Sequence, residues 1–403
     1  MMKNILRFFS KSHKSQSRHM EDIFEGDSNK YLSRQVVLDK IKNIDGNGIA
    51  YTSNKYVHVL IIGSDNFSMH IARQAAIMCH YPNFNEKTGT NRSIITIIEP
   101  QAGGKDDVEK MKNCFAEITG NLLAEALWNC RYYGEVTEEW QSPKEKSFID
   151  VEFEFIGLKG KSIDEFILQN IAQNSNAIVS ILDNTEILDR ESVSWINEHC
   201  CQYYKIEEKK LADSVQDYRV NTRRAQITNM LYNAGTHLKN ICISSLYEIE
   251  KYNTSLKLFC HNTSDNKTER LWNEIKKQEI KLSNLHCADY AETRKRSMDA
   301  LKGEGKEMPD AKNLEHLSNA EHARWNVEKL IYGYRPYTAE ERYKDECLFI
   351  DNAKLKAERA RMKNEQKAHI DICSCNELKR TDYDNIKYDC FIVLANNEIL
   401  SIK

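Results

Sequence analysis

The stretch Val57-His-Val-Leu-Ile-Ile-Gly63-Ser64-Asp65-Asn-Phe-Ser68 decides the fold. Val57 to Ile62 reads as a strand apolar on both faces, and Gly63 supplies a sharp turn. Directly behind it Ser68, Ile71, Ala72, Ala75, Ala76 and Cys79 recur at helical spacing. A doubly buried strand that runs straight into a helix is the first half of a parallel crossover unit.

The same rhythm continues outward. Ser93 to Ile98, Ile149 to Ile156, Ala177 to Leu182, Ile241 to Ser245 and Leu256 to Cys260 read as further strands. Between them, Val108 to Trp128 reads as one long amphipathic helix, and Ile163, Phe166, Ile167 and Ile171 form another helical face. The fold class expected is α/β: a Rossmann-like, doubly wound, mostly parallel sheet over residues 56–264, followed by a mainly α-helical domain. Ser192 to Asn233 breaks the alternation with one or two long helices, a helical insertion at about 192–233.

Upstream, residues 1–55 read as a basic tail (Lys3, Arg7, Lys11, Lys14, Arg18) and a lead-in helix over Tyr31 to Ile44. From 265 onward strand signals fade. Leu271 to Ile280, Ala291 to Leu301, Leu314 to Tyr332 and Ala339 to Lys367 read as helices, with Gly303, Gly305 and Pro309 in a loop. The chain therefore divides into 1–55, 56–264 and 265–403.

Composition narrows the function classes. A net charge of -3 over 403 residues gives no global field for DNA or RNA, so nucleic acid is an unlikely partner. No apolar run approaches the roughly 18 residues of a membrane span, since even Val57 to Ile62 stops at Gly63. The 12 cysteines include no CxxC pair, and several lie in apolar runs as small hydrophobes do, which points to a reduced, cytoplasmic setting. Cys373, Cys375 and His369 lack a second ligand pair at zinc-site spacing, so no metal is expected.

A Rossmann turn uses three glycines: for the bend, for close approach of a pyrophosphate, and for helix packing. Here only Gly63 is present, with Asp65 second and Ser68 third. A carboxylate at the second position repels a pyrophosphate. Glu99 ends the second strand where a Rossmann acid would bind a ribose hydroxyl, spaced further from Gly63 than usual because Tyr81 to Asn91 is an extended loop. Gly63, Ser64, Ser68, Glu99 and the strand-end Asp183 are the candidate cofactor-binding residues, for an adenine nucleotide.

Residues Tyr56 to Asn184 resemble the nucleotide-binding domain of potassium-uptake regulators, the TrkA-N or RCK type of Rossmann fold. The resemblance rests on His58 to Gly63, Ala72-Arg73-Gln74-Ala75-Ala76, Ile94 to Glu99 and Ala177 to Asp183. Asp65 and Ser68 depart from the pattern.

The most distinctive run is Leu317-Ser-Asn-Ala-Glu321-His322-Ala-Arg324-Trp325-Asn-Val-Glu328-Lys329-Leu-Ile-Tyr-Gly333-Tyr334-Arg335-Pro336. His322, Trp325 and Lys329 share a helix face, Arg324 and Glu328 pair at i, i+4, and Gly333 stops the helix. An indole to stack, an imidazole to hydrogen-bond and cations for phosphate oxygens make a purine-phosphate site. The alternative is a core Trp325 beside a satisfied His322.

The run resembles the helix of the RyR domain, the repeat first recognised in ryanodine receptors. Three further elements follow in order: Lys367-Ala-His369-Ile-Asp371, Asn376-Glu377-Leu378 and Lys387-Tyr388-Asp389. The match covers Leu314 to Val393, with a long charged insertion at 340–366 as its departure. The resemblance implies a sensor for a nucleotide-derived ligand, of a kind associated in bacteria with antiphage or conflict systems. It makes His322, Arg324, Trp325, Lys329, Tyr334, Arg335, Lys367 and His369 the candidate ligand residues, in a homo-oligomer or with a partner effector.

No GxSxG, HExxH or P-loop is present, and the adjacent Glu321 and His322 point about 100° apart on a helix. A nucleotide-responsive regulator is therefore the leading expectation. An NAD-linked enzyme built on Gly63 and Glu99 is the first alternative, and a protein-interaction scaffold is the second.

Overall fold

The computed structural model describes residues 28–170, 174–185, 187–199, 201–206, 222–231, 265–303, 311–349, 351–381 and 386–401. The fold is α/β, a seven-stranded sheet flanked by helices and followed by a helical region. In chain order the strands are β1 (Tyr56–Ile62), β2 (Ser93–Glu99), β3 (Leu127–Tyr133), β4 (Thr137–Gln141), β5 (Val151–Gly157), β6 (Ala177–Asp183) and β7 (Cys201–Lys205). Their spatial order is β4-β3-β5-β2-β1-β6-β7, and every pairing is parallel except β3 with β4. The run β5-β2-β1-β6-β7 is the 3-2-1-4-5 order of a Rossmann-like sheet.

Alternation along β1 assigns the two faces. Val57, Val59 and Ile61 enter one core with α1 (Ser28–Ile44), α2 (Asn66–Met78) and α3 (Lys105–Thr119). Leu60 and Ile62 enter the other, under α5 (Ile163–Asn170) and α6 (Arg190–His199). Helices on both faces explain why these strands read as unbroken apolar runs.

Several boundaries differ from the sequence reading. The helix expected to reach Trp128 ends at Thr119, because Gly120 takes φ +58. After the short α4 (Leu122–Glu125), the aromatic-rich β3 buries Cys130 and Tyr132 and pairs with β5, forming with β4 an added edge hairpin. Within 192–233 the chain forms the end of α6, then strand β7, and a helical stretch at 222–231. The strands expected at Ile241 to Ser245 and Leu256 to Cys260, and the basic residues before 28, lie outside the described residues.

The C-terminal helices are α7 (Asp265–Glu274), α8 (Gln278–Asp289), α9 (Ala291–Gly303), α10 (Ala311–Ile331), α11 (Ala339–Cys347), α12 (Asn352–Glu365), α13 (Cys375–Thr381), α14 (Ile386–Leu394) and α15 (Asn396–Leu400). The helix expected over Leu271 to Ile280 is thus split between α7 and α8. The single helix expected over Ala339 to Lys367 is also two, because Asp351 caps a new start by accepting from the Lys354 N–H at 3.1 Å. Thr338 and Glu341 form a capping box at the head of α11. The charged segment is consequently a helical hairpin, closed by parallel pairing of β8 (Arg335–Pro336) with β9 (Ala368–His369).

Val327, Leu330, Ile331 and Tyr334 belong to the same apolar cluster as α2, α3 and the sheet. Asn121 locks the two parts together. Its backbone N–H donates to Leu330 O at 2.9 Å, and its Nδ2 donates to Gly333 O at 2.9 Å and Tyr334 O at 3.0 Å. The lead-in helix is tied in too, since Arg34 makes a two-pronged, fully buried ion pair with Asp289 of α8 at 2.5 and 2.6 Å.

Candidate functional site

The β1–α2 turn closes on itself. Gly63 adopts φ +116, and an added Cβ would meet the Ser68 hydroxyl at 3.0 Å. Asp65 caps α2 by accepting from the Ser68 N–H at 2.8 Å, while both its oxygens accept from Asn184 Nδ2 at 3.1 Å. An amide that would face a pyrophosphate at the helix start therefore already has its anion. Ser64 donates to Glu99, whose other oxygen accepts from the Gln101 N–H at 2.9 Å. Asp183 accepts from Thr185 at 2.7 Å through both its N–H and its hydroxyl, and from the Tyr203 hydroxyl at 2.6 Å. All five candidate residues lie around this turn, with their side-chain polar groups engaged by their own chain.

The α10 face is assembled as its spacing requires. The His322 and Trp325 rings stack at 5.8 Å with 17° between planes, and Lys329 Nζ lies 5.6 Å from the Trp325 ring centre. Gly333, at φ +78, ends the helix in a Schellman motif: Gly333 N–H to Leu330 O at 2.9 Å and Tyr334 N–H to Lys329 O at 3.0 Å. Two of the three downstream elements reach this face, while Glu377 pairs with Arg342 at 2.8 Å. His369 sets its ring edge-on to Trp325 at 5.1 Å, and Asp389 lies 3.3 Å from His322.

The two histidines are held in opposite states. Burial opposes charge on His322, but the Asp389 carboxylate and the Cys373 carbonyl, 3.2 Å from Nε2, outweigh it and raise its pKa to about 10. His369 is pushed down to about 3 by burial and by Lys363 and Lys329, and its Nδ1 accepts from the Asp371 N–H at 3.2 Å. His322 is thus a structural cation and His369 a neutral ring.

Arg324 is placed elsewhere. It is fully buried, and donates to Glu321 at 2.9 Å and Glu328 at 2.5 Å, while Arg294 also binds Glu321. This buried four-member ion network takes Arg324 away from any ligand. Arg335 is likewise engaged, in a two-pronged pair with Glu341 at 2.7 and 2.8 Å that holds the Glu341 carboxyl down at about 2.

Beside the end of α10 opens a cavity of about 680 Å³, within the range of small-molecule sites. Tyr332, Tyr334 and Lys367 supply one wall. Lys30 of α1, Arg73 of α2, Lys277 ahead of α8 and Lys363 of α12 bring further cations to the lining, against the two acids Glu117 and Glu279. Arg73 is 6% exposed, and among the described residues its guanidinium has no hydrogen-bond or ion-pair partner. Lys329, 8% exposed, sits 5.9 Å from both the Tyr332 and Tyr334 rings, and burial lowers its pKa. Tyr334 donates to Glu279 at 2.8 Å, and burial and that carboxylate raise its pKa to about 12. Lys367 holds a left-handed φ of +47 while donating to Tyr332 O at 2.9 Å, a strained backbone of the kind that clusters at ligand sites.

Of the candidate ligand residues, Tyr334 and Lys367 line this cleft, Lys329 lies against its tyrosines, and Trp325 and His369 stand behind Lys329 and Tyr334. Lys30, Arg73, Lys277 and Lys363 escaped the sequence reading. Arg73 carries part of the TrkA-N resemblance but no ligand role there, and nothing in its spacing ties it to Lys363 in the charged hairpin. Among the described residues, no three His, Cys, Asp or Glu side chains group so as to hold a metal ion, and no helix is long and apolar enough to cross a membrane. No family model, curated protein or solved structure matches this chain.

Proposed function

We propose that this protein is a nucleotide-responsive regulator that binds a purine nucleotide or nucleotide-derived second messenger in the cleft between α1, α2, α8 and the end of α10. The observation that carries the reading is Arg73, a buried guanidinium with no partner among the described residues. Its nitrogens face the cavity rather than a protein acceptor, and an anionic ligand supplies the acceptor that the fold does not. Lys30, Lys277, Lys363 and Lys367 add cationic donors from separate elements, which suits a ligand with more than one phosphate. Tyr332 and Tyr334 add aromatic surface to the wall, beside the Lys329 ammonium. The resemblance of 314–393 to RyR domains supports the same class of ligand. The self-capped Asp65 turn argues for this cleft, not Gly63 and Glu99, as the nucleotide site.

Calorimetry with ATP, ADP and cyclic adenine and guanine dinucleotides tests it. At least one should bind saturably, and Arg73→Met should weaken that binding by at least about tenfold, the loss of one charge-assisted contact. Silence across the whole panel, or binding indifferent to both Arg73→Met and Lys363→Glu, would overturn the proposal.

A further inference from the structure

The cationic cleft lies between two bodies. Lys30 and Arg73 stand on α1 and α2, helices that share the main apolar core with the sheet, and Lys277 leads into α8. Lys363 stands on α12 and Lys367 at the root of the α11–α12 hairpin, where its carbonyl accepts from the Arg335 N–H at 2.8 Å. The hairpin is braced within itself. Tyr337, Met362, Ala368 and Ile370 form a small apolar cluster separate from the main core, and Arg359 joins α12 to Asp345 of α11 in a two-pronged pair at 2.7 and 2.8 Å.

Its attachments to the rest of the chain are uneven. On the side away from the cleft, Arg342 donates to Ile370 O and Ile372 O at 3.3 Å each and pairs with Glu377. Across the cleft, Lys277 Nζ donates to Asn364 Oδ1 at 3.2 Å, a solvent-exposed bond that contributes little. Both roots of the hairpin pass through left-handed residues, Gly333 at φ +78 and Lys367 at φ +47. Residues at the ends of elements are where hinge motions are absorbed.

Like charges face one another over this weaker side. In the lining Lys30, Arg73, Lys277, Lys363 and Lys367 outnumber the acids Glu117 and Glu279. Partial burial of its ammonium, and then Lys277, lower the Lys363 pKa, while burial and Lys363 both lower that of Lys329. We infer that the α11–α12 hairpin is the moving jaw of a clamp, loosened by repulsion across the cleft and seated against α1 and α2 by a polyanion that bridges Arg73 to Lys363. A ligand that binds the seated arrangement better shifts the population toward it, so occupancy of the cleft is converted into the position of the hairpin. The inference rests on the reading of the cleft as an anion site and adds what the anion moves.

Hydrogen exchange of the full chain, read by mass spectrometry on peptides of α11 and α12, tests the clamp without presupposing a nucleotide. Raising NaCl from about 0.01 M to about 1 M shortens the reach of charge from roughly 30 Å to roughly 3 Å, and should slow exchange in these peptides by at least about threefold while peptides of the sheet stay unchanged. Lys363→Glu sets an anion between the jaws at a solvent-accessible position, so it should slow the same peptides at low salt and abolish their response to salt. Millimolar tripolyphosphate, used as the polyanion, should slow them in the native chain. Nucleotide binding that leaves hairpin exchange unchanged overturns the clamp while the nucleotide reading stands. Slowing by tripolyphosphate in a chain that binds no nucleotide supports the clamp and overturns that reading alone. Hairpin exchange indifferent to salt, to tripolyphosphate and to Lys363→Glu overturns the inference.

Discussion

His322 and Asp389, which lie 67 positions apart in the chain, meet with Nδ1 3.3 Å from the carboxylate, while Nε2 faces the Cys373 carbonyl at 3.2 Å. Both ring nitrogens thus have acceptors, which favours the imidazolium and lifts its pKa to about 10. The unfolded value is about 6.5. The resulting stability is complete below that pH and is lost as pH rises toward 10, with a slope approaching about 1.4 kcal/mol per pH unit. Urea unfolding of the native chain between pH 6.5 and 9.5 should show this decline, and His322→Gln should flatten it.

Arg73 tests the proposed cleft. Because its guanidinium faces the cavity with no partner among the described residues, Arg73→Met should change the stability of the ligand-free protein by less than about 1 kcal/mol, while weakening nucleotide binding. Paired melting curves with and without ligand measure both effects. A large destabilisation without ligand would mean the guanidinium is structural.

Glu321 holds Arg294 and Arg324 together in a site closed to water. Glu321→Gln leaves two buried guanidinium groups with one carboxylate, Glu328, between them. A loss of about 3 to 5 kcal/mol in denaturant unfolding is expected.

Gly120, just past α3, packs directly against the backbone at the end of α10. At φ +58 an added Cβ would sit 2.7 Å from Leu330 O and 2.9 Å from Ile331 O, neither able to yield as a flexible side chain would. Gly120→Ala should therefore cost more than Gly333→Ala, whose added carbon meets nothing nearer than Lys367 Nζ at 3.7 Å. The Gly333 substitution carries the left-handed penalty alone, about 1 kcal/mol. Because Gly120 also positions the tyrosine wall, its substitution should weaken ligand binding as well.

Asp65 completes the set. Its cap on α2 predicts a loss of about 1 kcal/mol for Asp65→Ala, with no change in ligand binding at the cleft. Thermal unfolding and calorimetry on the same variant read both.

Local regularities were legible in the chain itself. Apolar strands buried on both faces announced the parallel sheet, i, i+3 and i+7 spacing put His322, Trp325 and Lys329 on one face, and Gly333 marked the stop. These are short-range consequences of backbone geometry, so sequence carries them. The edge hairpin β3–β4 is not legible there, because helical periodicity runs on past Gly120 and because pairing with β5 is non-local. Only tertiary packing decided which charges are structural. Nothing in Arg324 distinguishes it from Arg73 as a residue type, yet among the described residues one meets two carboxylates and the other meets none. That difference is set by which helices pack together: α9 brings Arg294 to the Glu321 that serves Arg324, while α2 delivers Arg73 to a cavity wall. Burial fixes the consequence of each placement, since a cation enclosed with carboxylates is spent on the fold, whereas one on a cavity wall keeps its donors.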